Sequence, residues 1–106
     1  MIFLVSYCSV ADVKGPLEID VEDTKFDSQL AVCVISGSAL VDGFLQVQGL
    51  SVPLVVPELV KQAAAYFAAW KFRKNADPSS DVFWADAQRF LNSFIDSTIG
   101  PYVGSV

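Results

Sequence analysis

The chain of 106 residues contains no histidine and only two cysteines. Without histidine, the Ser-His and Cys-His pairs that activate a nucleophile cannot form, and zinc or haem lacks its imidazole ligands. Cys8 and Cys33 do not belong to a CxxC pair. We therefore expect two reduced, buried thiols of an intracellular protein, and neither a catalytic residue, a cofactor nor a metal ion.

Other motifs of enzymes and membrane proteins are also missing from the sequence. It has no P-loop and no GxGxxG, and Glu22, Asp23 and Asp27 do not have the spacing of an EF-hand loop. An enzyme would need a metal held by Asp and Glu alone. No apolar run reaches the roughly 18 residues of a membrane-spanning helix. The apolar residues 1–5 lack the basic segment that precedes the core of a signal peptide.

Charged residues are scarce, at 18%, whereas 53% of the residues are hydrophobic. An ordinary soluble domain has roughly 25% charged residues. The length allows one domain with one core, and that core does not absorb so much apolar surface. We expect part of this surface to contact a partner.

The charge is also unevenly distributed. Residues 1–45 carry seven acids and two lysines, whereas residues 46–106 carry five residues of each sign, so the net charge of −5 arises entirely in the first part. Two clusters stand out, an acidic cluster of Asp20, Glu22 and Asp23 and a basic cluster of Lys71, Arg73 and Lys74. They would either attract copies of the chain head to tail or form solvated surface. A chain with pI near 4.3 lacks the positive charge that drives DNA binding.

The first half of the chain predicts two helices. Ser9 and Asp12 have the spacing of a capping box, which predicts a short helix over residues 9–15 that Gly15 and Pro16 end. Thr24 and Asp27 repeat that spacing before a second helix over residues 25–46, where apolar residues recur at helical intervals. The acidic stretch between the two helices is expected to be solvated. A glycine within a helix costs about 1 kcal/mol relative to Ala, so Gly37 predicts another helix crossing closely there.

A stiff loop and a third helix follow. Gly49 suits the left-handed residue that ends a helix, and prolines 53 and 57 predict an extended loop over residues 50–56. The third helix, residues 57–75, is apolar around most of its circumference and is expected to be central.

Asp77 and Pro78 predict the beginning of a fourth helix over residues 79–98, with Asp81 among its solvent-facing residues. Residues 1–6 and 100–106 are expected to be flexible or ordered only by a partner. The sequence thus predicts one all-α domain, a small bundle of one short and three long helices.

Aromatic residues are concentrated in the third and fourth helices: Tyr66, Trp70, Phe72, Phe83 and Trp84. Helical geometry prevents all of them from facing the same neighbour. We expect Phe72 and Trp84 either to point outward, as aromatic anchors of a protein interface, or to close over a loop.

Five segments of the chain share the layout of a known family. They are YCSVADV (residues 7–13), SALVDGFL (38–45), the loop 50–57, PELVKQAAAYFAAW (57–70) and FWADAQRFL (83–91). In these segments, which span nearly the whole chain, the protein resembles the small helical head–tail connector proteins of tailed bacteriophages, also called adaptor or head-completion proteins.

The resemblance implies a structural virion protein without enzymatic activity. Such a protein is made in the host cytoplasm and forms an oligomeric ring in the virion neck, between the portal protein and tail-side or stopper proteins, and DNA passes through the ring without sequence-specific binding. The acidic and basic clusters, together with Phe72 and Trp84, would lie at contacts between subunits. The alternative is a small helical homodimeric regulator or protein-binding module with no virion role.

Overall fold

A computed structural model of the chain describes residues 6–53, 55–73 and 81–99. These ranges contain four helices and no strand: α1 (Val10–Leu17), α2 (Asp27–Val47), α3 (Glu58–Phe72) and α4 (Val82–Ile99). The predicted all-α bundle with one short and three long helices is confirmed. The ends that were expected to be flexible lie outside the described residues, apart from Ser6.

Helix α3 is central, as predicted, and contacts α1, α2 and α4. Its five alanines at positions 63, 64, 65, 68 and 69 are all buried, together with Val60 and Phe67. Small side chains allow neighbouring helix backbones to approach closely. The predicted close crossing is confirmed as well, because Gly37 of α2 lies against Ala64 and Ala68 of α3.

Helix α1 begins with the predicted capping box. The Ser9 hydroxyl accepts the Asp12 amide at 3.2 Å, and the Asp12 carboxylate accepts the Ser9 amide at 2.8 Å. The prediction that Gly15 and Pro16 end the helix is wrong, since it continues to Leu17. A proline in the last turn removes only one hydrogen bond. The helix ends instead because Glu18 adopts a left-handed conformation, with φ of 58°.

Helix α2 begins without the predicted capping box. No side chain caps its first turn, where Phe26 occupies the N-cap position. The Asp27 carboxylate lies 2.9 Å from the Lys14 ammonium instead. At the other end the prediction is confirmed, because Gly49 has φ of 71° and its amide donates to the Gln46 carbonyl at 3.0 Å.

The facing ends of α3 and α4 differ from the prediction. Helix α3 ends at Phe72 rather than at residue 75, and α4 begins at Val82 rather than at residue 79. Asp81 caps α4: its Oδ1 accepts the amides of Phe83 at 2.8 Å and Trp84 at 3.2 Å. Asp81 is therefore buried, not solvent-facing. The predicted cap, Asp77, lies outside the described residues.

The sequence predicts no membrane-spanning segment, because Ser36, Gly37 and Asp42 interrupt its apolar runs. Judged by length and composition alone, helix α2 nevertheless meets the criterion for such a segment, with a mean hydropathy of 1.8. The core helix of a soluble protein or a signal sequence meets the same criterion.

Candidate interaction surface

The acidic cluster forms the connector between α1 and α2. Asp20 and Glu22 are exposed and Asp23 is half-buried. The connector is internally ordered, because the Asp20 carboxylate accepts the Glu22 amide at 2.9 Å and the Asp23 carboxylate accepts the Lys25 amide at 3.0 Å. Such turns hold a short segment in one conformation.

The buried Lys14 side chain binds the same connector. The sequence did not predict this contact. The Lys14 side chain is 3% exposed. The ammonium donates to the carbonyls of Val21 at 2.9 Å and Asp23 at 2.8 Å, and lies 2.9 Å from Asp27 Oδ1. An ammonium has three donors, and three oxygens surround this one. The one signal in the sequence is that Lys14 is the last basic residue before the run of acids.

The basic cluster follows the end of α3. Lys71 and Arg73 are exposed, and Lys74 lies outside the described residues. The Arg73 guanidinium lies 3.9 Å from Asp81 Oδ2 and 5.0 Å from the centre of the Phe83 ring. Arg73 thus joins α3 to the beginning of α4.

The acidic and basic clusters lie at the same end of the bundle. Helices α2 and α3 pack against each other so that the Phe26 ring at the beginning of α2 meets the Phe72 ring at the end of α3, with centroids 5.6 Å apart. Within the described ranges, no ion pair joins the two clusters.

Phe72 and Trp84 are both half-buried. The Trp84 ring packs among three other rings, with centroids 4.6 Å from Trp70, 5.0 Å from Phe67 and 6.1 Å from Phe44. Both rings therefore contact other rings of the chain and remain partly accessible, and Phe72 borders a depression of the surface. Their place at a subunit contact stays a prediction.

The potentially reactive side chains are unsuited to nucleophilic chemistry. Burial raises the pKa of the Cys8 thiol to about 12, and it also raises the pKa of Cys33. A thiol that stays protonated at neutral pH is a poor nucleophile. Burial, and then the hydrogen bond to Asp42, raise the pKa of Tyr7 to about 12. In the part of the chain that the structure describes, no group of three His, Cys, Asp or Glu residues could hold a metal ion.

A groove runs along the outer side of α2, and we call it the α2 groove. It consists of three adjoining depressions of about 430, 390 and 270 Å³. Lys71 borders the first two, and Ala39 and Leu40 border the last two. Five residues of α2 follow this side at steps of three and four: Val32, Ser36, Ala39, Gly43 and Val47. Val32 is 63% exposed and Val47 is 81% exposed.

No family model, curated protein or solved structure matches this chain. The resemblance to head–tail connectors consequently stays a prediction.

Proposed function

We propose that the chain is a structural subunit that acts by assembling with copies of itself and with neighbouring proteins, as a head–tail connector of tailed phages does. One observation carries this proposal: two large apolar side chains of α2, Val32 and Val47, are exposed on one side of the helix. Ala39 and Gly43 lie between them on that side and are exposed as well. Exposed apolar surface of this extent on a small protein is typical of an interaction site.

The two carboxylates of α2 interact with other parts of the chain and do not border the α2 groove. Asp27 pairs with Lys14, and Asp42 accepts a hydrogen bond from the Tyr7 hydroxyl. These are the two charged residues of α2. The α2 groove is thus mainly apolar, with Gln29, Ser36 and Lys71 as its polar residues. Covering it removes apolar surface from water at the cost of few polar groups.

In the connector proposal, copies form a ring in the virion neck after synthesis in the host cytoplasm. The ring contacts the portal protein on one side and tail-side or stopper proteins on the other, and DNA passes through it. The net charge of −5 supports this role, because a lumen with acidic walls does not retain DNA.

The second candidate is the homodimeric regulator or protein-binding module. The position of both charge clusters at one end of the bundle favours it. A surface that carries both signs is complementary to itself across a two-fold axis, whereas a ring requires two different surfaces that meet head to tail.

Native mass spectrometry and negative-stain electron microscopy of the purified chain, alone and with portal rings, test the two candidates. Closed rings, or assemblies that appear only with a portal, support the connector. A dimer that does not bind portal rings supports the second candidate. A monomer under every condition contradicts both candidates.

Variants of the exposed valines test the surface itself. Val32→Asp with Val47→Asp places two charges on the α2 groove, and we expect loss of the assembled species. Val55→Asp is the matched control, because Val55 is 85% exposed but lies in the loop before α3. Equal effects of the two changes would contradict a role for α2.

A further inference from the structure

Five large hydrophobic side chains are exposed among the described residues: Val21, Val32, Val47, Val55 and Val82. Val21 differs from the others because it stands between two exposed carboxylates, Asp20 and Glu22. We call residues 20–22 the acidic tip. The Val21 carbonyl is held by the buried Lys14 ammonium, so the tip is presented in an ordered conformation.

The first depression of the α2 groove has the opposite character. It has a volume of about 430 Å³ and is bordered by Phe26, Gln29, Cys33, Lys71 and Phe72. No carboxylate borders it, and in the described part of the chain none lies within ion-pair distance of Lys71. Lys25 is a second cation nearby, with its ammonium 5.8 Å from the centre of the Phe26 ring. Aromatic rings with cations beside them are complementary to an apolar residue flanked by acids.

We propose that the acidic tip of one copy docks in this depression of a second copy, with Val21 against the two phenylalanine rings and the tip carboxylates beside Lys71. This proposal rests on the proposed assembly of the chain with copies of itself. It specifies which surfaces of two copies are in contact. In its own copy Val21 is 63% exposed, so the tip does not fill the depression of the same chain. Each copy has one tip and one depression, so the contact serves a ring as well as a two-fold dimer.

Gln29 borders the depression and is exposed, so Gln29→Cys allows a direct test by disulfide trapping in the full-length chain. Cys8→Ser and Cys33→Ser first remove the two buried native thiols. In this background Val21→Cys places a second thiol on the tip, and mild oxidation is expected to yield covalent dimers or longer covalent species on a non-reducing gel. Without Gln29→Cys these species should not form through the depression. Val55→Cys in place of Val21→Cys is the control, since Val55 is an exposed valine without acidic neighbours and should give no product that depends on Gln29→Cys.

A second measurement does not depend on trapping. Lys71→Glu and Glu22→Lys should each weaken self-association by about fivefold, which corresponds to one exposed ion pair. An equimolar mixture of the two variants should recover it, because the unchanged acidic tip of the Lys71→Glu chain then meets the unchanged depression of the Glu22→Lys chain. Both positions are exposed, and circular dichroism would verify that the variants fold.

The outcomes separate this proposal from the proposed function. An oligomer in sedimentation velocity that gives no product dependent on Gln29→Cys, and that both charge reversals leave intact, overturns the docking of the tip but leaves the homo-oligomer standing. A monomer at all concentrations overturns both. Trapping that requires Gln29→Cys, together with recovery in the mixture, establishes the contact.

Discussion

Gly37 of α2 lies so close to Ala64 of α3 that a Cβ atom at position 37 would stand 2.6 Å from the Ala64 carbonyl oxygen. The same Cβ would lie 2.8 Å from the Ala68 amide nitrogen. Both neighbours are backbone atoms of the central helix and cannot rotate away. Gly37→Ala should therefore separate α2 from α3 and destabilise the fold by about 2 kcal/mol.

Gly43→Ala is the matched control in the same helix. A Cβ at position 43 meets nothing within 4 Å, so Ala should stabilise α2 by about 0.5–1 kcal/mol through its higher helix propensity. Urea unfolding of the two variants measures both effects. Stabilisation by Gly37→Ala would contradict the close crossing.

Lys14→Met should lower the free energy of unfolding by about 3 kcal/mol, because it removes a buried ammonium and leaves its oxygen partners without a donor. The connector with Asp20 and Glu22 should loosen, which hydrogen exchange of its amides would detect. Lys61→Met is the control: Lys61 is 41% exposed and lies 3.9 Å from Glu58, so its loss should cost less than about 0.5 kcal/mol. Similar losses for both lysines would count against the buried cluster.

Glu18→Gly should stabilise the protein by about 1 kcal/mol. Glu18 ends α1 with φ of 58°, a conformation that costs a residue with a Cβ roughly 1–2 kcal/mol and costs glycine little. Glu18→Ala keeps the Cβ and should give no gain. Thermal unfolding of the three chains measures the difference, and a gain from Ala as large as that from Gly would refute the conformational explanation.

Asp81→Ala should destabilise the fold by about 1–2 kcal/mol, because the amides of Phe83 and Trp84 lose their acceptor at the beginning of α4. Asp81→Asn retains a carbonyl oxygen at the cap and should cost less. If Asn were as damaging as Ala, the interaction with Arg73 rather than the cap would be the larger contribution.

Stability should decrease at alkaline pH. The folded chain raises the pKa of Cys8 from 9.0 to about 12 and the pKa of Tyr7 from 10.0 to about 12. A raised pKa means that the folded state holds its proton more tightly than the unfolded state, so this stabilisation is complete below pH 9.0 and is lost as pH rises towards about 12. The raised pKa of Cys33 acts in the same direction.

Urea unfolding at a series of alkaline pH values measures this loss. Cys8→Ala should flatten the dependence from pH 9.0 upward, and Tyr7→Phe should flatten it only above pH 10.0. An unchanged slope in both variants would show that other groups control the alkaline transition.

Local features of the sequence predicted the helices well, because helix formation depends on neighbours a few residues apart. Ser9 and Asp12 formed the predicted capping box, and Gly49 ended α2 as expected. Gly37 predicted the crossing with α3, because a glycine within a helix lowers the stability of that helix and indicates close packing at its position. The predicted end of α3 and the predicted beginning of α4 were wrong. Asp77 and Asp81 are both acceptable N-caps for α4, and their spacing does not decide between them.

The sequence by itself determined an acidic, histidine-free, all-α chain with more apolar surface than one small core absorbs. Only the tertiary structure decided that Lys14 is buried beneath the acidic connector and that both charge clusters lie at one end of the bundle. The first arrangement follows from the contact of α1 with the beginning of α2, where Lys14 meets Asp27. The second follows from the packing of α2 against α3, which brings Phe26 to Phe72. Contacts between residues so distant in the chain depend on how whole helices pack, and periodicity along one helix carries no information about them.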